Sequence, residues 1–190
     1  SEFFAELKEE NREAFFKEWM KKAQEEEYIA YDVTSISSYS EEISYVERGY
    51  NRDKENLAQI NLGMFFGESS RIPLYYAIYP GSIVDKSYLP FMMALTESMA
   101  MKKLRFVMDK GFMTQSNLAL LVNKKHYALT LIPKNYKVYK KILSDVVDQP
   151  FSARERLTGY EMYARSIETN YEGLPVTVHF YFDPQKALLD

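Results

Sequence analysis

Two aspartates are the residues of this sequence whose positions most clearly suggest chemistry. Asp32 interrupts the β-favouring run Tyr28–Ser35, and Asp109 follows the apolar run Leu104–Met108. A carboxylate inside an apolar strand is costly unless it is paired, hydrogen-bonded or bound to metal. In open α/β sheets the carboxyl ends of the strands line the functional crevice, so the two carboxylates are expected to converge there. Converging oxygen ligands suit a hard divalent cation such as Mg²⁺ or Mn²⁺.

The same two residues also have a purely structural interpretation. In that case Asp32 hydrogen-bonds a nearby backbone or hydroxyl group, and Asp109 begins a turn, a position that Asp often occupies. Spacing alone favours this simpler interpretation, and it leaves the metal site open as a hypothesis.

Composition removes several other kinds of chemistry. The chain has 190 residues, a formal net charge of −3 and no cysteine, which excludes thiol nucleophiles and Cys-ligated metal sites. It has only two histidines, His126 and His179, and no glycine spacing typical of a Rossmann or P-loop fingerprint. No apolar run approaches the length of a membrane span, so we expect a soluble, cytoplasmic protein.

The hydrophobic pattern predicts which elements position the aspartates. Charged, helix-favouring sequence occupies residues 1–27, and a polar loop occupies 35–56. Strands are predicted at 28–35, 58–66, 72–79, 103–108 and 127–132, and helices at 85–101 and 114–124, the latter capped by Thr114. Three strands that form a meander, followed by alternating helices and strands, predict a mixed α/β sheet with helices packed on it.

The remaining sequence, from Asn135 to Asp190, predicts β-rich structure, ending in the alternating run Val176–Phe182. A basic segment, Asn123–Leu143, precedes and overlaps it. This segment carries six lysines and no acidic residue, interleaved with three tyrosines. Such a segment could hold phosphates and stack an unpaired base, or it could be a solvated face whose tyrosines pack on the core.

Four ordered blocks of the sequence resemble the bacterial insertion-sequence DDE transposases of the IS-four type. The blocks are Tyr31-Asp-Val-Thr-Ser35, Gly49-Tyr-Asn-Arg-Asp53 with Gln59, Ile72-Pro-Leu74 leading to Pro80-Gly-Ser82 and Asp85, and Phe106-Val-Met-Asp-Lys-Gly-Phe112 with Asn117. Each block is weak alone, but their order and spacing match the family. The resemblance covers about residues 28–132.

The resemblance implies an α/β, ribonuclease H-like mixed sheet at 28–133, preceded by a helical segment at 1–27 and followed at 134–190 by the start of a β-rich insertion in the same domain. It implies that Asp32 and Asp109 are catalytic residues that bind Mg²⁺, with Mn²⁺ as a substitute. The implied partners are transposon-end DNA and further copies of the chain in the active complex, located at the bacterial nucleoid. The residues expected to contact DNA are Arg52, Lys124, Lys125, Lys134, Tyr136, Lys137, Lys140 and Lys141.

The family's third acid, a Glu on a later helix, has no convincing match. The nearest segment, Tyr163–Glu168, has the wrong spacing, and Gly173 and Pro175 would break the required helix. We therefore leave Glu168 unassigned and expect the third acid beyond residue 190, so that this chain alone is inactive. Two alternatives remain: a catalytically inactive DNA-binding or oligomerisation module, and a ribonuclease H-like nuclease that cuts DNA without joining it.

Overall fold

The computed structural model describes residues 6, 8–23, 25, 28–50, 56–98 and 104–187. These residues form two compact units, 1–131 and 132–190. Arg52 and the ends of the predicted N-terminal helix lie outside the described residues.

The first unit contains most of the predicted elements, with boundaries close to those expected from the sequence. Its helices are α1 (Glu9–Ala23), α2 (Asp85–Ser98) and α3 (Gln115–Asn123). Its strands are β1 (Ile29–Ser37), β2 (Gln59–Gly67), β3 (Pro73–Pro80), β4 (Arg105–Met108) and β5 (Tyr127–Thr130). Thr114 caps α3 as predicted, because its side chain accepts a hydrogen bond from the backbone N–H of Asn117.

The strands form one five-stranded mixed sheet in the order β3-β2-β1-β4-β5. β1, β2 and β3 pair antiparallel as a meander, whereas β4 pairs parallel to β1 and β5 parallel to β4. This arrangement confirms the predicted α/β class and the ribonuclease H-like mixed sheet. Asp109 directly follows the carboxyl end of β4, whereas Asp32 lies within β1, which continues to Ser37. The expectation that both aspartates lie at strand ends is therefore wrong for Asp32.

The core of this unit lies on one face of the sheet. Alternation along β1 directs Tyr31 and Val33 into that core, and each is only 1% exposed. The three helices pack on the same face with the buried residues Phe16, Leu89, Met92, Met93 and Leu121.

The opposite face of the sheet carries apolar side chains that are partly exposed. Ile78, Val107 and Leu129 lie on β3, β4 and β5, with exposures of 39%, 38% and 51%. Asp32 belongs to this open face, because it alternates with Tyr31 and Val33 along β1.

Two buried amides organise the loops at one end of the sheet. Gln59 is 0% and Asn61 2% exposed, although both point from β2 into the apolar core side. The Gln59 amide donates to the carbonyl of Tyr50 at 2.8 Å, and the Asn61 amide donates to that of Ile83 at 3.0 Å. Buried amides need such partners, so this pair ties the loop after β1 and the turn after β3 to β2.

A close backbone approach reinforces that connection. A Cβ atom at Gly81 would lie 2.2 Å from the carbonyl oxygen of Gln59, and one at Gly49 would lie 1.8 Å from the carbonyl oxygen of Gly81. Only glycine fits at these two positions without movement of the backbone.

The second unit packs one helix against a hairpin. Helix α4 (Lys137–Val147) contributes Ile142 and Val146 to a small core with Val178 from the hairpin of β6 (Tyr163–Tyr171) and β7 (Leu174–Phe182). The hairpin agrees with the predicted β-rich structure, but α4 was not predicted. The helical spacing of Val138, Ile142 and Val146 is the sequence signal for α4. The six lysines of this region instead suggested a charged binding surface.

Candidate metal and nucleic-acid site

Asp32 lies on the exposed face of β1, so one part of the sequence argument is corrected. The alternating pattern of β1 buries its two neighbours and leaves Asp32 in contact with solvent. Because the Asp32 carboxylate is exposed, it carries no burial cost that a bound metal or an ion pair would have to offset. One carboxylate oxygen accepts a hydrogen bond from the backbone N–H of Val33 at 2.8 Å, which orients the side chain locally.

Asp109 directly follows the neighbouring strand β4. Tyr31 of β1 is in register with Met108 of β4, so the next residues on the two parallel chains are Asp32 and Asp109. The backbone of Asp109 remains extended, with φ −66° and ψ 156°, and its side chain therefore continues the alternation onto the open face. Neighbouring strands lie about 4.8 Å apart, so the fold brings the two aspartates together.

The backbone of Asp109 is held by two hydrogen bonds to its carbonyl oxygen. The Thr130 hydroxyl donates from β5 at 3.2 Å, and the Phe112 N–H donates at 3.1 Å from the 3₁₀ turn Lys110–Phe112. The strand therefore ends at a fixed turn rather than in a loose loop.

An aromatic contact in the core joins the two chain segments that carry the aspartates. The Tyr31 and Phe112 rings lie 4.8 Å apart between centroids, and both side chains are buried. One precedes Asp32 directly and the other follows Asp109 by three positions. Rigid packing beneath the open face thus positions two carboxylates above it.

The arrangement provides oxygen ligands suited to a hard divalent cation. Within the described residues, however, no group of three or more His, Cys, Asp or Glu side chains is close enough to hold a metal ion together. Glu168, which the sequence argument left unassigned, lies exposed on β6 rather than on a helix.

The two histidines do not join the aspartates. His126 is buried at the start of β5, and its Nδ1 accepts the backbone N–H of Leu104 at 3.1 Å. Burial lowers the pKa of His126, with the charge of Lys124 as a smaller cause, so the ring is a neutral core group. His179 lies on the hairpin and hydrogen-bonds Ser166 at 2.8 Å.

The lysines predicted to contact DNA divide between the two units. In the first unit, Lys124 forms an ion pair with Glu97 at 2.5 Å, and the following residue, Lys125, is exposed. The others lie in the second unit: Lys134 is exposed before α4, and Lys137, Lys140 and Lys141 are exposed on α4. Tyr136 is half-buried at the N-terminal end of α4.

The sequence did not reveal the supporting role of three residues, although Gln59 belongs to the second of the four sequence blocks. Thr130 holds Asp109 through its backbone, and Gln59 and Asn61 hold the loops at the same end of the sheet. Polar residues inside otherwise apolar strand patterns were the available signal, since buried amides and hydroxyls need partners.

The fold defines an α/β domain of the ribonuclease H-like class, in which Asp32 within β1 and Asp109 directly after β4 lie on neighbouring parallel segments. The chain belongs to the Transposase DDE domain family, whose model matches residues 23–180. The family expected from the four sequence blocks is therefore confirmed at this level.

Solved transposase structures show low similarity to the chain. The Mos1 transposase paired-end complex with left transposon end is 14% identical, with a TM-score of 0.38, over 74% of this chain and 50% of that one. The piggyBac transposase synaptic complex with hairpin DNA is 10% identical, with a TM-score of 0.47, over 86% and 35%. The catalytic domain of Mos1 mariner transposase is 16% identical, with a TM-score of 0.35, over 79% and 78%.

The chain spans half or less of the length of the first two of these transposases. No curated protein sequence matches it significantly. The family assignment therefore rests on the family model. Among the helices of the described residues, none has the length and apolar character needed to cross a membrane.

Proposed function

We propose that this domain performs the metal-dependent phosphodiester chemistry of DNA transposition, as part of a bacterial IS-four type transposase. The observation that supports the proposal is the parallel pairing of Tyr31 with Met108, the residues that directly precede Asp32 and Asp109. Two exposed carboxylates on adjacent strands fit Mg²⁺, with Mn²⁺ as a substitute, because both ions prefer oxygen ligands. The proposed substrate is transposon-end DNA at the bacterial nucleoid, bound by an oligomer of the full-length protein.

In this proposal Asp32 and Asp109 hold the metal ions, and the core beneath them keeps the two carboxylates at a fixed separation. Metal ions bound there supply a nucleophile at neutral pH and stabilise the departing oxygen of the phosphodiester. The exposed lysines of α4 and Lys125 bind the DNA backbone and neutralise its phosphates. Arg52 is proposed to contact DNA as well, from the loop after β1.

Mn²⁺ binding to the chain tests the metal site directly. We expect Asp32→Asn and Asp109→Asn each to weaken binding roughly tenfold or more, since losses of supporting ligand contacts alone reach that range. Asp145→Asn is the matched control, because Asp145 is an exposed carboxylate on α4. All three variants should retain wild-type thermal stability to within about 0.5 kcal/mol, as is usual for exposed positions. A Mn²⁺ affinity that is unchanged in both aspartate variants would refute the proposed site.

One observation supports a second candidate function. Within the described residues no group of three or more His, Cys, Asp or Glu side chains could hold a metal ion, and this agrees with a catalytically inactive DNA-binding or oligomerisation module. That module would bind DNA equally well with and without Mg²⁺, and equally well in the Asp32→Asn variant. Cleavage and strand-transfer assays on the full-length protein separate this module, a nuclease that only cuts, and a transposase.

A further inference from the structure

Asn117, in the first turn of α3, is a buried polar residue with two side-chain hydrogen bonds. Its side chain belongs to a residue that is only 3% exposed. The amide donates to the carbonyl of Phe112 at 3.1 Å and to the carbonyl of Lys86 at 3.0 Å. Two acceptors match the two donor protons of the amide, as a buried amide requires.

The two acceptors of the Asn117 amide belong to different elements. Phe112 ends the 3₁₀ turn that directly follows Asp109, and Lys86 lies in the first turn of α2. Lys86 and Asn117 are 31 positions apart in the chain. The amide therefore ties the turn after Asp109 to both α2 and α3.

The helix that carries the Asn117 amide is itself fixed. The backbone N–H of Asn117 donates to the Thr114 hydroxyl at 3.2 Å, which caps the start of α3. Leu121, four residues further along the helix, is 1% exposed in the core beneath the sheet. The amide thus projects from a helix that is anchored at its start and along its buried face.

The turn held by this amide lies against the Asp109 side chain. The Phe112 N–H donates to the Asp109 carbonyl at 3.1 Å. A Cβ atom at Gly111 would lie 3.6 Å from Oδ2 of Asp109, so this carboxylate oxygen lies close to the backbone of the turn. Because closely packed groups transmit displacements, a shift of the turn moves the carboxylate as well.

We propose that Asn117 is a positioning residue of the metal site, which keeps the Asp109 carboxylate in place relative to Asp32 through the turn Lys110–Phe112. Residues that orient a metal ligand without touching the metal contribute to the affinity for the ion. Without the amide, the turn loses its connection to α2. This inference rests on the proposed function, because it requires that Asp109 binds the ion.

The Mn²⁺ affinity of the chain, measured by calorimetry, tests the inference. Asn117→Ala should weaken Mn²⁺ binding roughly tenfold, the lower end of the range for residues that support a metal ligand. Leu121→Ala is the matched control, because Leu121 is a buried residue of the same helix whose apolar side chain makes no hydrogen bond to the turn. It should lower the urea midpoint of unfolding and leave the Mn²⁺ affinity unchanged. Affinities are compared at a temperature at which circular dichroism shows every variant folded.

Hydrogen exchange locates the effect of the substitution. The amide protons of Phe112 and Met113 close the 3₁₀ turn by bonding to the carbonyls of Asp109 and Lys110. In Asn117→Ala these two protons should exchange faster relative to the amide protons of β1 and β2. Leu121→Ala should produce no such selective change at the turn.

Asn117→Ser covers the case in which the alanine variant does not fold. A serine hydroxyl donates one hydrogen bond where the amide donates two. The Mn²⁺ affinity should therefore again fall below that of the wild type.

The outcomes separate this inference from the proposed function. Equal Mn²⁺ affinity of the wild type and a folded Asn117 variant would overturn the positioning role, whereas a loss in Asp109→Asn would still support the metal site. A loss in Leu121→Ala as large as that in Asn117→Ala would also overturn the positioning role, because general destabilisation would then explain both. Mn²⁺ binding that is unchanged in Asp109→Asn would refute the metal site itself.

Discussion

Replacing Asn61 with leucine should destabilise the protein more than its modest change in size suggests. The Asn61 side chain lies on the core side of the sheet and is 2% exposed. Its amide donates to the Ile83 carbonyl at 3.0 Å, and its oxygen accepts from the Ser35 hydroxyl at 3.0 Å and the Gln59 amide at 3.3 Å. Leucine has a similar volume and can replace none of these hydrogen bonds.

The expected loss of stability follows from the groups left without partners. A buried polar group that loses its partner costs about 1–3 kcal/mol. Gln59 is fully buried, whereas Ser35 and Ile83 are half-buried and can partly turn to water. The Gln59 amide keeps its bond to the Tyr50 carbonyl, so each of the three partners is counted in part, and together we expect a loss of about 2–4 kcal/mol in the free energy of unfolding. This is a large share of the roughly 5–15 kcal/mol that stabilises a typical domain.

Urea unfolding measures this loss, and hydrogen exchange locates it. With a denaturant slope of about 2 kcal/mol/M, the midpoint should fall by about 1–2 M. The amide protons of Glu47, Gln59 and Gly81 bond across the same loops, so they should exchange faster than those of the central strands.

Asn123→Leu is the matched control, because Asn123 is an exposed residue at the end of α3. It should shift the free energy of unfolding by no more than about 0.5 kcal/mol. If Asn61→Leu proved as stable as this control, the buried amides would not hold the loops and our reasoning would be wrong.

Three further predictions concern the core and two titrating groups. Phe106→Ala should cost about 3–5 kcal/mol and Val107→Ala less than about 1 kcal/mol in chemical unfolding, since the first faces the core and the second the open face; equal costs would contradict the one-sided core. Because burial lowers the pKa of His126 below 6.5, the unfolded state binds more protons below that pH. Stability should therefore decline as the pH falls from about 6.5 towards the folded-state pKa, and His126→Asn should reduce that dependence in unfolding measured at several pH values. The hydrogen-bonded Arg165 guanidinium lowers the pKa of Glu155 to about 2, so Arg165→Met should return this pKa towards 4.5 in a carboxyl NMR titration; an unchanged value would show that Ser152 alone causes the shift.

The order and type of the elements in the first unit could be predicted from the sequence. Alternation around Tyr31 and Val33, the break at Pro80 and Gly81, and the cap at Thr114 are local features that act within a few residues. The family could also be predicted, because its motifs occur as short blocks in a set order. The helix α4 was not predicted, because its apolar residues of helical spacing are few and lie between lysines.

The sequence by itself determined that Asp32 lies within a strand and Asp109 directly after one, and that thiol chemistry is excluded. Their meeting depended on the parallel pairing of β1 with β4, which joins residues 77 positions apart and which no local pattern encodes. Tertiary structure also decided that Asp32 faces the open side, that Thr130 and Phe112 hold Asp109, and that His126 is a core residue. Hydrogen bonds and packing between distant segments set these features, because register and burial are properties of the assembled sheet rather than of any one strand.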